Sequence, residues 1–111
     1  MTGKHLLANV YVSDIDTLST VEKISPLMEQ IINEMKLNVI GKLHKQFEPR
    51  GVTMLYLIAE SHLSIHTFPE KNYCTIDLYC CNPTIDMNDV LDIIYRFFNG
   101  NCKIEKQVIC R

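Results

Sequence analysis

Side chains able to donate protons, accept protons or attack carbonyl groups are concentrated between residues 61 and 81 of this 111-residue chain. The segment contains the Ser61 hydroxyl, the imidazoles of His62 and His66, and the thiol of Cys81. Such groups serve as nucleophiles, general acids and bases, or metal ligands. The spacing of the two histidines would suit a metal site on a helix. Because β-branched neighbours and Pro69 indicate a strand, no metal site is predicted.

Strand periodicity separates these side chains into two faces, because alternate residues of a strand point to opposite sides of the sheet. In the predicted strand over residues 73–81, one face is apolar and the other carries Asp77 and the Cys81 thiol. His66 falls on the same polar face in the strand over residues 63–68. Asp77 could orient a histidine there or complete a polar network.

The composition of the polar face leaves two interpretations open. Its aromatic and small polar groups, with few lysines or glutamates, favour a sheet that packs against a second copy of the chain and encloses a polar pocket. The alternative is a face that simply meets solvent, as in many antiparallel sheets.

The elements that would position these residues follow the order strand, helix, several strands, helix, strand. Strands are predicted over residues 5–12, 38–47, 52–59, 63–68, 73–81 and 102–110, from alternating or continuous apolar runs. This order predicts an α+β fold in a single domain of residues 1–111. An antiparallel sheet would carry two helices on one face, as a two-layer α/β sandwich.

The two predicted helices are indicated by apolar residues at helical spacing. The first presents its stripe over residues 24–35, and it begins either at a capping box from Ser19 to Glu22 or at Ser25, with Pro26 as its first residue. The second begins near Asp86 and is stopped by Gly100.

Composition and charge exclude several classes of function. The chain is 47% hydrophobic and 22% charged with a net charge of −2, which gives no electrostatic basis for binding nucleic acid or anionic lipid. The longest apolar run, over residues 52–59, is too short to cross a bilayer. The five cysteines are an odd number, and the N-terminus lacks the layout of a signal peptide. Free thiols and a cytoplasmic location are therefore expected.

The run over residues 59–70, AESHLSIHTFPE, closely resembles the processing site of S-adenosylmethionine decarboxylase proenzymes of the short prokaryotic class. Residues 5–8, 47–53 and 76–81 resemble the opening strand, the segment before the cleavage site and the strand that carries the catalytic thiol. The resemblance extends loosely over most of the chain and implies a pyruvoyl-dependent carboxy-lyase that cleaves itself.

The resemblance implies that Ser61 forms the reactive group from the chain's own backbone. Its hydroxyl would attack the carbonyl of Glu60 and convert the peptide bond into an ester. β-Elimination and hydrolysis would then leave a pyruvoyl group at position 61. Such an attack needs a strained turn and donors directed at the developing oxyanion. The family match places Thr53 beside that oxyanion and makes His66 the base for the elimination.

The processed protein would consist of a β chain of residues 1–60 and an α chain of residues 61–111, which begins with the pyruvoyl cofactor. In turnover the ketone would form a Schiff base with the substrate amine and accept the electrons left when CO₂ departs. The resemblance makes Cys81 the donor that returns a proton to the α-carbon. It also identifies Phe47 as the ring that stacks on adenine and Glu70 as the carboxylate that holds the ribose hydroxyls.

Three positions depart from the family pattern and leave the substrate open. Asn9 stands where an acidic residue is usual, Ser13 where a cysteine is common, and Phe68 where a tryptophan is usual. The first expectation is S-adenosylmethionine, whose decarboxylated product donates aminopropyl groups in spermidine synthesis. The alternatives are arginine or ornithine on the same pyruvoyl scaffold, or a non-catalytic homologue that acts as a binding or regulatory partner. In each enzyme case a homodimer of processed protomers is expected.

Overall fold

The computed structural model describes residues 3–111 as one antiparallel sheet of six strands with two helices packed on it. The strands are β1 (Lys4–Val12), β2 (Val39–Gln46), β3 (Val52–Ile58), β4 (Ser61–Phe68), β5 (Tyr73–Cys80) and β6 (Cys102–Cys110), and the helices are α1 (Val21–Glu34) and α2 (Met87–Phe97). The strand order is β2-β3-β4-β5-β1-β6. The predicted α+β fold is confirmed. Among residues 3–111, neither helix combines the length and apolar character that crossing a bilayer requires.

The hydrophobic core lies between the helices and one face of the sheet. β5 contributes alternate residues to it, and β4 contributes the residues paired with them. The buried apolar members of these two strands are Leu63, Ile65, Cys74, Ile76, Leu78 and Cys80. The predicted division of β4 and β5 into an apolar face under the helices and a polar face opposite is thus confirmed. Among residues 3–111, no helix or strand covers the polar face, which we call the open face.

The start of α1 differs from both predicted starts. The helix begins at Val21 after Thr20, and Pro26 lies inside it rather than at its first position. The Ser19 hydroxyl donates to the Ile15 carbonyl instead of capping α1. Pro26 is tolerated because only one intrahelical hydrogen bond is lost, to the carbonyl of Glu22, while the apolar stripe of α1 stays buried.

The strand β3 is buried on one face only, although its sequence is apolar at nearly every position. Met54, Tyr56 and Ile58 point under the helices, whereas Leu55 and Leu57 are 46% and 57% exposed on the open face. An apolar run of this kind is typical of a strand covered on both sides. In the part of the chain that the structure describes, nothing packs on the open face of β3.

Thr67 links the C-terminal end of β4 to the segment before α1. Its side chain is buried, and its hydroxyl donates to the Leu18 carbonyl and accepts from the Val52 N–H, both at 2.8 Å. We expect Thr67→Val to lower the free energy of unfolding by about 1–3 kcal/mol, because it leaves buried backbone groups without partners. Chemical denaturation measures the change. The control Thr17→Val removes a hydroxyl that makes no hydrogen bond within residues 3–111 and should change stability by less than about 0.5 kcal/mol. Equal losses in both variants would contradict this assignment.

Candidate active site

The backbone is strained at the connection between β3 and β4, immediately before Ser61. The connection consists of Ala59 and Glu60, and Glu60 has a φ of +61°. A residue other than glycine in this left-handed region costs about 1–2 kcal/mol, and such strain tends to be kept where it serves a function. The strained turn that backbone attack by Ser61 would need is therefore present at the Glu60–Ser61 peptide.

Cys81 follows the end of β5 and contacts both residues of this peptide. Its thiol donates to the Glu60 carbonyl at a sulfur–oxygen distance of 3.2 Å, and its backbone N–H donates to the Ser61 hydroxyl at 3.4 Å. The three residues line a cleft of about 230 Å³ together with the end of β3 and the segment Leu37 to Asn38. A donor directed at a carbonyl oxygen stabilises the negative charge that develops there during attack. We call Glu60, Ser61 and Cys81 the cleavage cluster.

Three rings form a compact triangle on the open face beside the cleavage cluster. His5, Tyr79 and His62 lie side by side on β1, β5 and β4, with ring centroids 5.8–6.0 Å apart. Interaction with Cys81 raises the pKa of the Tyr79 phenol above its usual value. Asp77 lies 3.5 Å from Nε2 of His5, a buried nitrogen that has no hydrogen-bond partner within residues 3–111. The sequence indicated that Asp77 could orient a histidine, but it did not identify His5 as that histidine.

A second group of predicted site residues lines a cavity of about 320 Å³ at the other end of β4. Thr53 on β3 pairs in register with His66 on β4, and the Thr53 hydroxyl lies 3.1 Å from Nδ1 of His66. The loop between β2 and β3 contributes Phe47, and the turn after β4 contributes Glu70. We call this the pocket cluster: Phe47, Arg50, Gly51, Thr53, His66, Thr67, Phe68 and Glu70. Arg50 is a pocket residue that the sequence did not single out.

The lining of the pocket cavity combines aromatic rings with a carboxylate. It offers two phenylalanine rings, from Phe47 and Phe68, and a carboxylate from Glu70. Phe68 stacks on Tyr73, with ring centroids 5.1 Å apart. Rings that stack and a carboxylate that accepts hydrogen bonds from hydroxyl groups are suited to a base and a ribose respectively.

The two clusters lie far apart within one chain. Ser61 pairs with Ile58 at one end of the β3–β4 ladder, and Thr53 pairs with His66 near the other. His66 lies five positions after Ser61 along β4, which corresponds to roughly 16 Å at about 3.3 Å per residue. Direct contact between the two side chains of one chain is therefore impossible.

The family model for S-adenosylmethionine decarboxylase matches residues 4–111, nearly the whole chain. The chain belongs to the S-adenosylmethionine decarboxylase family. The resemblance inferred from residues 59–70 is thereby confirmed. The matched residues include the cleavage cluster and the pocket cluster.

Named relatives in the S-adenosylmethionine decarboxylase family support the same assignment. The S-adenosylmethionine decarboxylase proenzyme of Aquifex aeolicus is 39% identical over 106 residues, which are 96% of this chain and 78% of the relative. The proenzyme of Archaeoglobus fulgidus is 36% identical, over 76% of this chain and 75% of the relative. The crystal structure of the adenosylmethionine decarboxylase from Aquifex aeolicus superposes with a TM-score of 0.87 and 36% identity, over 99% of this chain and 90% of that one.

Proposed function

We propose that this chain is a proenzyme that cleaves itself between Glu60 and Ser61, forms a pyruvoyl group from Ser61, and decarboxylates S-adenosylmethionine to the aminopropyl donor of spermidine synthesis. The observation that carries the proposal is the strained Glu60–Ser61 peptide, whose carbonyl accepts a hydrogen bond from the Cys81 thiol. The residues present fit the formation of the group, since the serine, the strain and the donor meet at one peptide bond. The free cysteines of the chain also suit a reducing, cytoplasmic location.

The cleavage can be written with the chain's own residues. The Ser61 oxygen bonds to the carbonyl carbon of Glu60, the C–N bond breaks, and the nitrogen of residue 61 takes the hydroxyl proton, which leaves an ester. A base then removes the α-proton of residue 61, and the Glu60 carboxylate departs. Water hydrolyses the resulting enamine with release of ammonia. Thiol donation from Cys81 would stabilise the oxyanion of the first step.

His66, the proposed base for the elimination, and Thr53 must come from a second copy of the chain, because their own Ser61 is roughly 16 Å away. A two-fold dimer in which two open faces pack together can place the pocket cluster of one chain over the cleavage cluster of its partner. Each dimer would then hold two composite sites. This arrangement uses every site residue that the family resemblance identifies.

Exposed leucines on the open face support such a dimer. Leu43, Leu55 and Leu57 are 71%, 46% and 57% exposed, and the first two pair in register across β2 and β3. A contiguous apolar patch next to a polar centre is typical of an interface between identical subunits. Covering the patch would also explain why β3 has the sequence of a strand buried on both faces.

In turnover, the pyruvoyl group would supply a carbonyl that takes up the substrate amine and the electrons released with CO₂. The Cys81 thiol, which contacts the Glu60 carbonyl beside position 61, would return a proton to the α-carbon. The pocket cluster of the partner would hold the adenosine, with Phe47 against the base and Glu70 on the ribose hydroxyls.

Co-expression of two inactive variants tests the composite site. Alone, Ser61→Ala lacks the nucleophile and His66→Ala lacks the base, so neither homodimer should complete the cleavage. In the mixed dimer, one site combines Ser61 of the His66→Ala chain with His66 of the partner subunit, and both groups are intact there. We therefore expect cleavage of the His66→Ala chain only when the two variants are co-expressed, measured by intact mass. Failure to cleave in isolated mixed dimers, identified by different tags, would contradict the composite site.

Substrate identity is tested by the release of CO₂ from carboxyl-labelled S-adenosylmethionine, arginine and ornithine. The names of the relatives favour the first substrate, and we expect turnover of it alone. Turnover of arginine or ornithine instead would show that the chain is a decarboxylase of that amino acid. A cleaved protein that acts on none of the three would support the non-catalytic alternative.

A further inference from the structure

The side chain of Gln46 connects three separate parts of the chain at the edge of the pocket cluster. Its amide oxygen accepts from the Val21 N–H at 2.9 Å, at the first residue of α1. Its amide nitrogen lies 3.0–3.1 Å from the carbonyl oxygens of Ser19, Phe47 and Gly51. Gln46 thus provides the hydrogen-bond acceptor for the first N–H of α1, where Thr20 makes no side-chain cap. At the same time it donates to the carbonyls at both ends of the loop over residues 47–51.

The loop over residues 47–51 depends on these contacts because β2 is an edge strand. No strand lies beyond β2 in the sheet of residues 3–111, so the loop has neighbours on one side only. The loop is closed by a hydrogen bond from the Phe47 N–H to the Gly51 carbonyl at 2.8 Å, and the Gly51 N–H donates to the Ser19 carbonyl at 3.0 Å. The Ser19 carbonyl therefore accepts hydrogen bonds from both the Gly51 N–H and the Gln46 side-chain amide.

The loop forms one wall of the pocket cavity. Phe47, Arg50 and Gly51 line that cavity, and the Phe47 ring is exposed rather than packed into the core. A ring that is not held by core packing takes its position from its own backbone. The peptide between Phe47 and Glu48 is held by the Gln46 amide, which donates to the Phe47 carbonyl. A change at the Gln46 side chain would therefore move the ring without touching any reacting group.

We propose that Gln46 is a positioning residue for substrate binding: by tying the 47–51 loop to the start of α1, it holds the Phe47 ring where the nucleoside end of the substrate stacks. This inference rests on the proposed function for the identity of the substrate. It adds a residue that contacts neither substrate nor the reacting atoms. Loss of Gln46 lowers the affinity for the substrate, and the chemical steps at Ser61 and Cys81 proceed as before.

The test uses two variants. Gln46→Ala removes all four hydrogen bonds. Gln46→Glu keeps an acceptor for the Val21 N–H, but its carboxylate oxygen replaces the amide nitrogen and repels the three carbonyl oxygens. The expected result is a rise in KM for S-adenosylmethionine of at least about tenfold in both variants, with kcat changed less than about twofold. Cleavage between Glu60 and Ser61, measured by intact mass, should remain complete. The Gln46→Glu variant separates loop positioning from helix capping, because its cap is retained.

Tyr56→Phe serves as the matched control. The Tyr56 hydroxyl donates to Glu29 at 2.8 Å and also ties the sheet to α1, but away from the pocket cluster. This variant should lose stability while KM stays unchanged. An unchanged KM in both Gln46 variants, or a fall in kcat at constant KM, would overturn the inference.

Failure of the proposed function is distinguishable from failure of this inference. A wild-type protein without turnover of S-adenosylmethionine would refute the proposed substrate. The dissociation constant for S-adenosylmethionine, measured by equilibrium dialysis, then decides the role of Gln46: weaker binding in both variants supports it, and equal binding contradicts it.

Discussion

The Ser61→Ala protein is expected to remain a single chain and to have no decarboxylase activity. Alanine has no oxygen to attack the Glu60 carbonyl, so neither the ester nor the pyruvoyl group can form. The fold should survive, since the Ser61 hydroxyl makes only one hydrogen bond within residues 3–111, a long one of 3.4 Å from the Cys81 N–H. Intact mass measures cleavage, and circular dichroism separately measures whether the fold is retained.

Ser64→Ala is the matched control for this prediction. Ser64 lies on the same strand, faces the open side and pairs with Leu55 and Asp77. Its removal should leave cleavage complete and activity measurable. A Ser61→Ala chain that still divides between residues 60 and 61 would show that another group attacks the backbone.

The Cys81→Ala protein is expected to cleave more slowly than the wild type and, once cleaved, to turn over at least about 100-fold more slowly. The slower cleavage follows from the loss of the thiol that donates to the Glu60 carbonyl at 3.2 Å. The loss of turnover follows from the missing proton donor for the α-carbon. The measurements are the time course of the intact mass after translation and the rate of CO₂ release per mole of cleaved protein.

Cys80→Ala provides the comparison, because its thiol is adjacent in sequence but buried under the helices. This variant should lose some stability through the cavity it creates, while cleavage and turnover per folded molecule stay close to the wild type. Wild-type turnover in Cys81→Ala would show that Cys81 is not the proton donor and that another group protonates the α-carbon.

The sequence predicted the division of the sheet into two faces because that division depends on local periodicity. In β5, Cys80 points under the helices and Tyr79 to the open face, as alternation requires. The helix α2 was predicted equally well, since the Asp86 side chain caps it locally and Gly100, with a φ of +74°, follows its end.

Long-range contacts account for what the sequence did not predict. The start of α1 is satisfied by Gln46, which is 25 residues away in sequence, so no local capping pattern could identify Val21 as the first residue. Likewise, the family resemblance grouped Thr53 and His66 with Ser61 as one site. The register of β3 with β4 puts Thr53 and His66 at one end of the strand pair and Ser61 at the other, which is why the proposed site uses a second chain.

Borohydride trapping of freshly purified protein shows whether residue 61 becomes a pyruvoyl group. After reduction of a ketone at position 61, mass spectrometry should detect an unmodified fragment of residues 1–60. The fragment beginning at position 61 should have a blocked N-terminus and a mass increased by two hydrogens. A fragment that begins with an ordinary serine, or a chain that remains unsplit and unmodified, would contradict the account.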